Sequence, residues 1–151
     1  MTLKWIDSYV EGLKEYCYSD DVYDICDCLG ISLVRLDPAS SLLMGGKAMY
    51  IRDYFDAESI FVRNDLSRYY EKCIIAHELA HAVLHTEVFS AAFNPKLLNR
   101  GKLEKQADYF AVKLLSIDID MVFYEGFTIE QVASAEDMPI SIAEHASNYL
   151  L

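Results

Sequence analysis

His77-Glu78-Leu79-Ala80-His81 constrains this chain more than any other stretch. The residues around it, Tyr70, Cys73, Ile74, His77, Ala80, His81 and Leu84, recur at helical spacing. On a helix, side chains four apart stand one turn above each other, so two imidazoles can close on one metal ion. Glu78 leaves the helix to the side of that pair, where a carboxylate can take a proton from a water that a metal has acidified. The histidines share their face with apolar residues. That suits a metal site walled by the core, and equally two buried, hydrogen-bonded histidines.

A catalytic zinc usually takes three protein ligands and keeps a fourth position for water. The third must come from another element, and Glu104 is the best candidate. It opens the run Leu103-Glu104-Lys105-Gln106-Ala107-Asp108-Tyr109-Phe110-Ala111-Val112-Lys113-Leu114, a strong helix with an apolar stripe at Leu103, Ala107, Phe110, Ala111 and Leu114. Asp108 lies one turn beyond Glu104 on the same face. A zinc-bound imidazole normally gives its other N–H to a carboxylate or carbonyl. One helix can therefore supply both needs, Glu104 as ligand and Asp108 as the group that orients an imidazole, His77 before His81. Ala107 and Ala111 are small, as at a close approach of two helices.

The rest of the chain sets the frame. Its 151 residues fit one domain over 1–151, with a helical N-terminus (1–30), a sheet and zinc-site core (31–115) and a helical tail (116–151). Residues 3–18 and the segment after Ser19-Asp20-Asp21 read as two scaffold helices, the second ended by Gly30. Residues 31–36, 48–52 and 59–63 read as three strands of a small, mostly antiparallel sheet. Asn64 to Ser67 caps the helix that carries the two histidines. Residues 87–100 read as a loop of the length that often forms a lid or substrate rim. Thr128-Ile129-Glu130-Gln131 is a capping box that opens a short helix, and a last helix starts at Ile140.

Charge and cysteine usage exclude several functions. The net charge is −11, and no Lys or Arg occurs from Leu114 onward. The paired tail helices therefore lack the cations that phosphate contacts require, which argues against direct nucleic-acid binding. A basic or neutral protein partner fits better. Cys26 and Cys28 form CxC, not CxxC, so neither a redox motif nor a zinc ribbon is indicated. With no secretory h-region at the start and no apolar run of roughly 18 residues, the expectation is a cytoplasmic chain without a membrane span. Its four cysteines are then expected as reduced thiols.

The runs Ile75-Ala76-His77-Glu78-Leu79-Ala80-His81-Ala82-Val83-Leu84-His85 and Leu103 to Leu115 closely resemble the signatures of the ImmA/IrrE family of zinc metallopeptidases. The order of elements over roughly residues 20–150 matches as well, and the likeness is strongest to the ImmA-like anti-repressor branch found on phages and integrative elements. The resemblance implies an α+β, gluzincin-like minimal metallopeptidase fold with Zn2+ on His77, His81 and Glu104. It also implies a function: cleavage of a helix-turn-helix transcriptional repressor, which releases mobile-element genes. The alternative is a module, anti-repressor or stress regulator, that acts by binding alone.

On this reading Glu78 is the general base. His85 is packing or a support, not a ligand. Stabilisation of the oxyanion could come from Tyr50, Tyr109, Tyr124 or His145. Ser59 to Arg63, just before the HExxH helix, is the expected edge strand for an extended substrate.

Overall fold

A computed structural model describes residues 2–86 and 100–149. Helix α1 runs over Trp5–Cys17 and α2 over Val22–Cys28. The Asp21 carboxylate caps α2, accepting from the backbone N–H groups of Tyr23 and Asp24. Strand β1 spans Ser32–Leu36, and a 3-10 turn at Ser41–Leu43 leads to β2, Ala48–Arg52. The turn is left through Met44 and Gly45, both at positive φ, a conformation natural to the glycine. Strand β3 covers Glu58–Arg63, followed by α3 (Arg68–Leu84), α4 (Arg100–Leu114), α5 (Ile129–Glu136) and α6 (Ile140–Tyr149).

The sheet is mixed, in the order β1-β3-β2. A short turn joins β2 to β3, with Asp53 Oδ1 accepting from the N–H groups of Phe55 and Ala57, so those strands run antiparallel. The longer connection from β1 carries the chain past β3, and β1 pairs parallel with it, Ser32 opposite Ser59 and Leu36 opposite Arg63. The sheet thus has one parallel and one antiparallel pairing, where alternation alone had indicated a mostly antiparallel one. The expected edge strand is also corrected. Residues 59–63 lie in the central strand, with both sides paired, and β2 is the edge that packs against α3.

Helix α3 is the hub, touching α2, α4, β2 and β3. Its start is capped by Ser67, whose hydroxyl also bonds Asp137 at the end of α5. The core gathers Ile6 and Val10 of α1, Ile25 of α2, Ile60 of β3, Ile75 and Leu79 of α3, Phe110 and Leu114 of α4, and Ile142 of α6. Ala76 and Ala80 on α3 and Ala107 and Ala111 on α4 are fully buried. Side chains this short let two helices pack closely, which brings carboxylates of one within reach of imidazoles of the other.

The cysteine expectation is corrected too. Cys17 and Cys28 form a disulfide, while Cys26 and Cys73 are free and buried. Tyr18, in the left-handed conformation, turns the chain back after α1 and sets the ends of α1 and α2 side by side. No sequence spacing displays that juxtaposition. Among the described residues, no helix is long and apolar enough to cross a membrane. The expected lid or rim at 87–99 lies outside the described residues.

Candidate metal centre

His77 and His81 stand one turn apart on α3, with ring centroids 5.1 Å from each other. Glu104 reaches both from the first turns of α4. Its Oε2 is 2.8 Å from His77 Nε2 and its Oε1 is 3.1 Å from His81 Nε2. One ligand atom from each of the three residues can be chosen so that all lie within 4.8 Å of one another. Two imidazole nitrogens and one carboxylate oxygen match the donor set of a zinc site with an open fourth position. The residues present therefore fit the ion that the motif implies.

The groups around this trio differ from side to side. His77 Nδ1 lies 2.8 Å from Asp108 Oδ1, the pairing expected from the sequence, and Asp108 is only 5% exposed. Ser141 of α6 donates to the same oxygen at 3.3 Å. Burial works against a positive charge on His77, but the hydrogen bonds to Asp108 and Glu104 outweigh it and push its pKa up to about 10. Hydrogen bonds from His77 and His81 in turn hold the Glu104 carboxyl far below the usual range.

Glu78 lines the same cleft as His77 and Glu104. Its Oε2 accepts the backbone N–H of Tyr50 on β2 at 3.0 Å. Burial pushes its pKa up, opposed by the neighbouring imidazoles and that N–H. A carboxylate whose basicity is raised suits a general base.

His81 has a different support. Its Nδ1 is 2.9 Å from His85 Nδ1, and His85 Nε2 is 2.9 Å from Gln106 Oε1. Burial pushes the His85 pKa down. Gln106 was not singled out from the sequence, where a glutamine between Lys105 and Ala107 carries no signal. Nor was the Tyr50 N–H, which is legible only once β2 lies against α3.

A cavity of about 600 Å³ opens beside the cluster. Lys47 and Ala48 from the start of β2, His77 and Glu78 from α3, and Glu104 from α4 form one side. The tail forms the other, with Ala133, Met138 and Ile142 among its lining. The tail thus both packs on the domain and walls this cleft.

Three of the four oxyanion candidates bond elsewhere. The hydroxyl of Tyr109 donates to Asp7 of α1 at 2.7 Å, that of Tyr124 to Glu136 at 2.9 Å, and that of Tyr50 to Glu58. His145, on α6, lies where the charges of Asp108 and His77 act on it, though burial is the larger influence and pushes its pKa down.

A His-His-Glu cluster on two closely packed helices, over a small mixed sheet, defines an α+β domain with a group that could hold a metal ion beside a cleft. Over residues 26–143 the sequence matches the model of the IrrE N-terminal-like domain, peptidase family M78, and the chain belongs to that family. No curated protein matches the chain, and no solved structure does.

Proposed function

We propose that this protein is a zinc-dependent endopeptidase that cleaves a helix-turn-helix transcriptional repressor and so relieves repression of mobile-element genes. The observation that carries the peptidase reading is the convergence of His77, His81 and Glu104, with Glu78 beside them at the cleft. Family membership supports the same reading.

His77, His81 and Glu104 are the residues that would hold zinc. Bound there, the ion would supply an acidified water and polarise the scissile carbonyl. Glu78 takes a proton at its carboxylate and later returns it to the leaving amine. The Tyr50 N–H keeps that carboxylate on the cleft side of α3. Asp108 holds the His77 ring by Nδ1 so that Nε2 faces Glu104. Among the oxyanion candidates, His145 feels the charges of Asp108 and His77.

Substrate enters along β2. This strand is the sheet edge next to α3, its residue Ala48 lines the cleft, and an extended peptide can add to such an edge through backbone hydrogen bonds. Lys47 is the one lysine or arginine among the described lining residues, against Glu78, Glu104, Asp108 and Glu130. With a net charge of −11, this surface favours a basic protein, and DNA-binding repressors carry such surfaces. The proposed setting is the cytoplasm, where those repressors act and where the Cys17–Cys28 pair would face reduction.

A non-cleaving anti-repressor would use the same surface, and Glu78 separates the two readings. The test is incubation with the helix-turn-helix repressor encoded next to this gene, wild type against Glu78→Gln, with mass analysis of the products. Fragments from wild type alone support cleavage. If Glu78→Gln relieves repression as fully as wild type, the peptidase reading fails and the binding reading stands.

A further inference from the structure

The two histidines of the cluster are held by unlike devices. His77 leans directly on an anion, Asp108, at 2.8 Å. His81 leans on the His85 ring, which leans on the uncharged Gln106 amide, through two contacts of 2.9 Å. His85 and Gln106 are each 6% exposed, so neither exchanges its partner for water. His85 is also the C-cap of α3, where the backbone leaves helical geometry at φ −120° and ψ 33°. Its ring sits with its centroid 5.1 Å from that of His81.

Proton bookkeeping along this chain allows two arrangements. A neutral imidazole carries one N–H and one bare nitrogen, and a glutamine offers an oxygen that accepts or an NH2 that donates. With the Gln106 oxygen towards His85, Nε2 of His85 is the donor and its Nδ1 is bare. His81 must then donate through Nδ1, which leaves its Nε2 bare and facing Glu104. With the amide reversed, every step reverses, and the proton of His81 falls on Nε2. A ring protonated there cannot be a ligand. Metal binding through His81 and the orientation of a buried amide two hydrogen bonds away are therefore one choice.

We propose that Gln106, acting through His85, is a positioning residue that holds His81 in its metal-binding tautomer. The inference rests on the metal-site reading and adds to it.

The test uses the full chain and zinc. First, zinc affinity is measured by chelator competition for wild type, Gln106→Met and Gln106→Glu. Methionine keeps the length and apolar bulk but has no accepting oxygen; glutamate keeps the length and the oxygen. Loss of such an outer support typically weakens metal binding about tenfold to a hundredfold. Gln106→Met is expected in that range and Gln106→Glu within about threefold of wild type. Second, nitrogen-15 NMR of zinc-loaded wild type is expected to show a coupling through the hydrogen bond between His81 Nδ1 and His85 Nδ1, a signature that mere packing does not produce. This readout needs no variant, so it decides the matter even if Gln106→Met fails to fold. Equal zinc affinity in all three proteins, or no coupling in the loaded wild type, overturns the relay while leaving the metal site standing. Failure of the wild type itself to bind zinc overturns the site reading instead.

Discussion

Asp108 Oδ1 sits 2.8 Å from His77 Nδ1, a contact between two buried faces of α3 and α4 that also receives the Ser141 hydroxyl from α6. One carboxylate thus joins the helix that carries the motif, the helix that carries the third ligand candidate and the tail. Asp108→Ala is expected to weaken zinc binding about tenfold to a hundredfold, because the imidazole loses the partner that sets its orientation. Asp108→Asn keeps an accepting oxygen and should lose less than tenfold, about the lower end of that range. Chelator competition on both variants checks this, and equal losses would show that charge, not orientation, matters.

The same contact ties metal binding to pH. With hydrogen bonds to Asp108 and Glu104 and a pKa pushed up to about 10, His77 keeps its extra proton at neutral pH in chelator-treated protein. A ligand nitrogen must be bare, so zinc displaces that proton. Affinity should rise about tenfold per pH unit from pH 7 to 9, with about one proton released per ion. Calorimetry in buffers of different ionisation enthalpy measures the release.

Stability should follow the opposite course. The folded pKa of His77 is raised above the unfolded value of 6.5, so its contribution is full below 6.5 and disappears as pH rises through about 10. Denaturant midpoints in chelator should fall over that window. A flat profile would show that His77 is not held as an imidazolium.

The β2 edge makes a separate prediction. Proline is tolerated on edge strands, yet it removes a backbone donor. Ala48→Pro should leave zinc affinity within about threefold of wild type, since it touches no ligand, while cleavage of the repressor falls by about tenfold or more through KM, as expected where main-chain hydrogen bonds supply affinity. Unchanged kinetics would mean that substrate does not add to this strand.

Closing the segment between Cys17 and Cys28, 11 residues apart, stabilises oxidised protein by roughly 3 kcal/mol in the chain-entropy account. Cys17→Ser should cost about that much under oxidising conditions and little under reducing ones. Urea midpoints with and without reductant separate the two.

Some of this structure was legible in the sequence because the responsible physics is local. Helical rise fixes the spacing of His77 and His81 whatever the rest of the chain does. Asp21, Ser67 and Thr128 cap their helices because each side chain reaches backbone N–H groups two or three residues ahead. Strand β2 was legible at Ala48–Arg52 from its residues alone. Glu104 and Asp108 were nameable for a chemical reason: a zinc ion on the two histidines would require a third ligand and an orienting partner, and one helix offered a carboxylate for each.

What the tertiary structure alone decided depends on which elements meet. Pattern within residues 59–63 shows a strand, but only the pairing of β1 with β3 makes that strand central and leaves β2 as the edge. The bond between Cys17 and Cys28 depends on how α1 and α2 fold back on each other. The tail reads as two amphipathic helices, and packing turns one side of them into a wall of the cleft. Gln106 has no distinguishing spacing, because its partner, His85, is 21 residues away across α3 and α4. The sequence by itself determined the donors on each helix, since backbone geometry sets them; which donors converge was decided by the burial of Ala76, Ala80, Ala107 and Ala111, whose short side chains let α3 and α4 approach.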